Sequence, residues 1–248
     1  MDIRDRIKPY VAQSNWLATL SLIGTLVVYA FTLCGAIVSV GHWFVFAIFM
    51  VLHAFSAVRI AVLQHDCGHH SFFTSRRVNV IVGHILSVPG LSPFEVTRYN
   101  HLRHHAHLGS LDHRDVHEIH IMTLEEWNHA SPFRRLVYRL SRSPFVLIPV
   151  GAIYAYFILY RWPKNTDMAG RLGVVIHNLA VFSYLGVLYF LAGWQGLLVW
   201  FVASVMGGMI GVFLTYLQHN FEGTQWGRLP DMTPKQAALV GSSTVELG

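Results

Sequence analysis

The chain has 248 residues, 53% of them hydrophobic and only 12% charged. That is about half the charge of an ordinary soluble domain, which excludes a conventional water-soluble globule and points to the bilayer. The net charge of +5 suits cytoplasmic faces and anionic headgroups; with no stacking motif and no long basic run, it does not indicate a nucleic-acid partner. Two cysteines, Cys34 in an apolar run and Cys67 among histidines, make no disulfide framework. Cys67 reads as a small residue filling space in a reduced, cytoplasm-facing setting.

In chain order, the N-terminal stretch is polar and carries Arg4, Arg6 and Lys8. Leu17 to Val40 then runs 24 residues without a charge. As a helix it measures about 36 Å, enough to cross the hydrocarbon core and too long for a signal-peptide core. After the turn "SVGH", Trp43 to Leu63 is a second span, with Arg59 in its last turn placed to snorkel to the interface. Val78 to Leu91 is apolar but short, with Pro89 and Gly90 near its end, and reads as interfacial or re-entrant. Residues 95–143 hold most of the histidines and many arginines. Phe145 to Tyr160, at 16 residues, is again short. Val174 to Ala192 and Gly196 to Leu217 are the last long runs, joined by "GWQ".

Positive charge orients these pieces, because cytoplasmic loops concentrate Lys and Arg. Neither "SVGH" nor "GWQ" has a Lys or Arg, whereas the N-terminus, the 95–143 segment and the 161–173 loop have several. The expected fold is therefore all-α and integral to the membrane, a single domain over residues 1–248. It has four transmembrane helices in two hairpins, interfacial or re-entrant helices, and a histidine-rich cap on the cytoplasmic side with the N-terminus. Phe145 to Tyr160, basic on both flanks, is expected to stay at the interface. Gly207 and Gly211 form G-x-x-x-G, a signal of close helix packing.

The 16 histidines are clustered. In "HDCGHH", His65 and His69 are four apart; on a helix continuing the second span, both imidazoles share one face. In "HLRHH", His101, His104 and His105 stand at i, i+3 and i+4. His219 lies just beyond the last span in "QHNFEGTQW". His70 points away from His65 and is left out of the ligand set. His42 belongs to the outer turn, and His53, His84 and His177 read as packing or interface residues. The charge bias that orients the spans also gathers these motifs on one side. Histidine-rich ligation suits Zn, Cu, Fe or Ni, and five or six imidazoles exceed one structural zinc site and fit two metals. Neutral imidazoles leave metal charge uncompensated, so carboxylates are expected nearby to orient the rings; Asp66, Glu95, Asp112, Asp115 and Glu222 are the candidates.

Together, "HDCGHHSF", "HLRHHAH", "LDHRDVHEIHIMTLEEW" and "QHNFEGTQW" resemble the membrane fatty acid desaturases, most of all acyl-lipid enzymes of the Δ12/ω-6 type. The resemblance implies a non-haem di-iron centre, O₂ as oxidant, and electrons from ferredoxin or a cytochrome b5-like donor. It implies removal of two hydrogens from adjacent methylenes of a membrane-lipid acyl chain, in a bacterial inner membrane. Carried over by motif, the iron ligands are His65, His69, His101, His104, His105 and His219. An unactivated C–H bond needs a metal oxidant that no side chain can provide. The family's third histidine box, H-x-x-H-H, is not found after "QHNFE", so the chain reads as C-terminally truncated. The resemblance also leaves open a related di-iron hydroxylase or carotenoid ketolase, or an inactive metal-binding membrane fragment. It does not fix the oligomeric state.

Overall fold

The computed structural model describes residues 12–114, 119–219, 223–228 and 236, with His219 described in its backbone alone. Arg4, Arg6, Lys8, Asp115, Glu222 and the His219 side chain lie outside the described residues. The fold is helical. The elements are α1 (Asn15–Val38), α2 (Trp43–Gly68), α3 (Arg76–Ser87), α4 (Phe94–Ala106), α5 (Leu124–His129), α6 (Pro132–Arg142), α7 (Pro144–Ile153), the short α8 (Thr166–Ala169) and the long α9 (Arg171–His219). The chain forms two compact units. One comprises residues 1–98 and 166–207, the other 99–165 and 208–248.

In the first unit, α1 and α2 make a hairpin. Ser14 caps α1, its hydroxyl accepting from the Leu17 N–H, which satisfies one of the free donors of the first turn. The turn closes where the Ser39 N–H donates to the Gly35 carbonyl and the His42 N–H to that of Ser39. Gly35 lets the Phe49 ring approach; a Cβ there would stand 2.3 Å from it. Most polar groups inside the hairpin pair with one another, as burial in an apolar setting favours, with His53 Nε2 left without a hydrogen-bond partner. Thr32 and Ser56 flank His53, and Arg59 donates to the Ser21 hydroxyl on α1 at 3.0 Å. Arg59 thus has a protein partner one helix away, in addition to any reach toward the interface.

Ser75 caps α3. This helix buries Asn79, Val82, Gly83 and Leu86 and leaves Val78, Ile81 and Ile85 exposed on another face. Asn79 ties down the loop before it, accepting from the Phe73 N–H and donating to the Phe73 and Ser75 carbonyls. The core packs Ile60, Leu63 and Cys67 of α2 with Leu86 of α3, Phe94 of α4 and Tyr29 of α1.

The helical run α9 is broken at Gly193, whose φ of 59° and ψ of −159° lie outside helical space. Glycine adopts this conformation without Cβ strain. Tyr184 and Trp200 make a ring contact at 6.3 Å, whereas 16 residues of uninterrupted helix would separate them by about 24 Å. The chain therefore doubles back at Gly193. Just after the turn, Gln195 donates to the Ile37 carbonyl at the end of α1, and mid-helix Tyr184 bonds Tyr29 at 3.2 Å.

In the second unit, Arg114 organises the loop before α5. It makes two bonds to the Glu126 carboxylate at 2.7 Å and donates to the Leu111 and Ile121 carbonyls. Thr123 and Glu126 form a reciprocal capping box at the start of α5. A short bridge joins Ser110 to Gly227, with Asp112 paired to Arg228. Pro149 interrupts the hydrogen-bond ladder of α7. The helix continues as a π turn, Tyr154–Ile158, and a 3-10 turn, Leu159–Arg161.

Among the described residues, four helices are long and apolar enough to cross a membrane: Asn15–Val38, Trp43–Gly68, Pro144–Arg161 and Arg171–Gln218. The number matches the expected four, but the membership differs. The last two expected spans are one helical run folded at Gly193. The run expected to remain at the interface joins the set, because the π and 3-10 turns extend α7 into an 18-residue helical rod. The two glycines of G-x-x-x-G do not share a partner. A Cβ on Gly207 would meet the Ala54 carbonyl at 3.1 Å, whereas one on Gly211 would meet the Tyr156 hydroxyl at 2.9 Å.

Candidate metal centre

The C-terminal end of α2 carries the first histidine motif. The helix runs past the apolar span because Gln64 is buried and bonded to the Ser92 carbonyl and hydroxyl, both at 3.0 Å. It ends in a Schellman arrangement: the His70 N–H donates to the Cys67 carbonyl and the Ser71 N–H to that of Asp66. His70 holds the left-handed position, φ 55°, usually given to glycine. One turn earlier, His65 and His69 face each other with Nε2 atoms 3.2 Å apart. The other nitrogen of His65, Nδ1, lies 3.2 Å from a carboxylate oxygen of Asp66.

The second motif lies on α4. The Nε2 atoms of His101 and His105 stand 2.9 Å apart, one turn apart on the helix. His104 lies to the side, its ring 6.3 Å from that of His101 and 5.8 Å from that of His105. Spacing alone allowed all three to converge. The backbone aligns i with i+4 more closely than with i+3 here.

Two imidazole nitrogens bound to one ion at about 2.1 Å lie about 3.0 Å apart at a right angle and about 3.4 Å apart at the tetrahedral angle. The observed 3.2 and 2.9 Å are on that scale. His65, His69, His101 and His105 each offer a ring nitrogen as ligand, so both histidine pairs could bind metal. Asp66 stands where a carboxylate could fix the ring and tautomer of His65 if that histidine held a metal.

Comparison with known proteins identifies the lineage. The fatty acid desaturase family profile matches residues 41–245. The chain belongs to the fatty acid desaturase family. A Bacillus subtilis protein named fatty acid desaturase is 35% identical over 199 residues, covering 79% of this chain and 56% of the relative. A Synechocystis protein named sn-1 acyl-lipid omega-3 desaturase (ferredoxin) is 28% identical over 214 residues, with the same coverages of 79% and 56%. An endoplasmic-reticulum omega-3 fatty acid desaturase of Vigna radiata is 27% identical over 258 residues, 92% of this chain and 64% of that protein. The chain thus spans 56 to 64% of the length of these relatives.

Within this chain, the other polar candidates have different partners. Glu95 lies 3.5 Å from His84 Nε2 and 3.7 Å from Arg98 Nη1. Asp112 pairs with Arg228. His70, set aside as a ligand on spacing, has its Nε2 at 2.9 Å from Arg98 Nη2. Guanidinium only donates, so that nitrogen accepts and its lone pair is engaged. Burial first, then the nearby Arg98 and Arg76, push the His70 imidazole below its ordinary value. Arg98 was missed by sequence reading. It precedes His101 by three residues and His105 by seven, on one face of α4, and also donates to the Gly68 carbonyl at 2.9 Å. The available signal was helical phase: a long donor one turn before a ligand pair.

Proposed function

We propose that this chain desaturates lipid-linked acyl chains, using O₂ and a di-iron centre held by His65, His69, His101, His104, His105 and His219. The observation that carries this is the pair of facing Nε2 couples, His65–His69 and His101–His105, in a chain of the desaturase family. The face of α4 that holds His101 and His105 also holds Arg98, and Arg98 bonds the residues flanking His69. Iron held there, supplied with O₂, two electrons and two protons, would provide the oxidant that removes two hydrogens from adjacent methylenes, with O₂ reduced to two waters. The histidines bind the metal, Asp66 fixes the His65 ring, and Arg98 holds the end of α2 against α4.

Relatives named as acyl-lipid and ferredoxin enzymes support a membrane-lipid substrate and ferredoxin as the electron donor. The basic segments favour histidines and N-terminus on the cytoplasmic side of a bacterial inner membrane. The test is expression of the full chain in a host with a matching ferredoxin, followed by non-haem iron analysis of the purified protein and gas chromatography of membrane fatty acids. A new olefin with histidine-dependent iron is expected. Folded, iron-loaded protein with unchanged lipids, or with hydroxy-acid or keto-carotenoid products, would overturn the reading.

A further inference from the structure

A second site lies in the first unit, apart from the facing histidine couples. His70, Arg76, Arg77, Val80, Ile81 and Arg98 line an open cleft of about 500 Å³. Its positive charge is compensated only at Arg98, which lies 3.7 Å from the Glu95 carboxylate. Among the described residues, no ion pair joins Arg76 or Arg77. Both occupy the first turn of α3, where the helix dipole opposes a cation. Arg98, which lines the cleft from α4, is held in place by the Gly68 carbonyl, His70 and Glu95. Two guanidiniums without an ion pair, Arg76 and Arg77, lining one cleft call for an anion from outside the chain, and arginine forks match phosphate oxygens.

The rest of the cleft is apolar. Val80 and Ile81 line it, and Val78, Ile81 and Ile85 continue as a stripe at helical spacing along α3, 38%, 59% and 56% exposed. A free anion would use the arginines and leave this stripe bare. An amphiphile with a phosphate at one end and acyl chains at the other would use both. We infer that this cleft binds the phosphodiester headgroup of a glycerophospholipid, with its acyl chain laid along Val78, Ile81 and Ile85. For its biological sense this rests on the acyl-lipid reading above: the site would hold the substrate lipid, or a neighbouring lipid, by its headgroup beside the histidine motifs.

The test uses the full chain in detergent, metal removed and no reductant, titrated with dihexanoyl-phosphatidylglycerol, with dihexanoylglycerol and with inorganic phosphate. Binding is followed by calorimetry or native mass spectrometry. Phosphatidylglycerol is expected to bind about tenfold or more tightly than either half-ligand, and more weakly as salt rises. The double variant Arg76→Gln/Arg77→Gln should lose that advantage at an unchanged melting temperature, and Arg76→Lys/Arg77→Lys should retain most of it. Ile81→Asn should weaken phosphatidylglycerol and leave phosphate unaffected. Equal binding by the glutamine variant would overturn the site. Phosphate binding as tightly as phosphatidylglycerol would reduce it to an anion site and overturn the lipid assignment. Because no turnover is measured, failure here leaves the iron and product assays standing, and their failure leaves this result standing.

Discussion

Two regions of α2 show what position does to one residue type. His53, in the middle of the span, is fully buried and has Nδ1 at 3.0 Å from Thr32 Oγ1 and 3.4 Å from Ser56 Oγ. Thr32 already donates to the Val28 carbonyl at 2.8 Å, and Ser56 to that of His53 at 2.7 Å. Both hydroxyl protons are used, so Nδ1 carries the ring proton and donates. His65, twelve residues on, has an exposed side chain, a carboxylate on one nitrogen and a second imidazole on the other. The first histidine has one nitrogen taken by hydroxyls and the other, Nε2, buried with no hydrogen-bond partner and no second imidazole or carboxylate bonded to it. The second is paired by neighbours that can hold a metal. A histidine becomes a ligand candidate through a partner at i+4 and an oriented second nitrogen; density in the sequence is not enough.

That contrast can be broken by substitution. The largest effect is expected for His65→Ala or His101→Ala. Bound iron should fall by about 100-fold or more, the full effect of losing a direct ligand where loss of a supporting residue costs about 10- to 100-fold. Desaturation should vanish while the melting temperature of the metal-free protein stays put. A large drop in that melting temperature would mean the pair is structural, as His53 is. Next, Asp66→Asn keeps shape and removes charge; it should weaken iron binding by about 10- to 100-fold and leave apo stability unchanged. An unchanged iron titration would remove Asp66 from the site.

For the mid-span region the prediction reverses. Thr32→Val should retain iron and lower stability by about 1–3 kcal/mol, the cost of leaving a buried donor without its acceptor. Loss of iron with intact stability would contradict the separation of the two regions. The smallest effect concerns the second unit. Hydrogen bonds from Arg114, then from the Thr123 backbone, hold the Glu126 carboxyl at about 2, below its ordinary 4.5. A lowered folded value stabilises above the unfolded pKa. This contribution should be complete above about pH 4.5 and disappear as pH falls toward 2. Glu126→Gln should remove that part of the acid response, measured as the melting temperature of the isolated apo chain across this range.

Much of this organisation is legible in the chain. Apolar runs mark α1, α2 and both arms of α9, because backbone groups without water must close into helices and the length of each run is set by the bilayer. Gly193 is legible as a turn between two such runs. The facing couples follow from i, i+4 spacing, since 3.6 residues per turn stacks those side chains. The placement of Pro144–Arg161 was harder, because a π turn and a 3-10 turn lengthen the helix beyond its apolar run. The carboxylates were also mixed: five were named by proximity in sequence, and geometry sends Glu95 to His84 and Arg98, and Asp112 to Arg228.

The sequence by itself determined which segments are helical and apolar, and which imidazoles share a helical face. These depend on local periodicity and on the cost of exposed backbone in lipid. Tertiary structure decided the rest: that His53 is bonded away by Thr32 and Ser56, that Arg98 reaches Gly68 and His70, and that Arg76 and Arg77 are left facing an open cleft. Long side chains spend their charge on whichever helix end lies within about 3 Å, and only folding brings that end near.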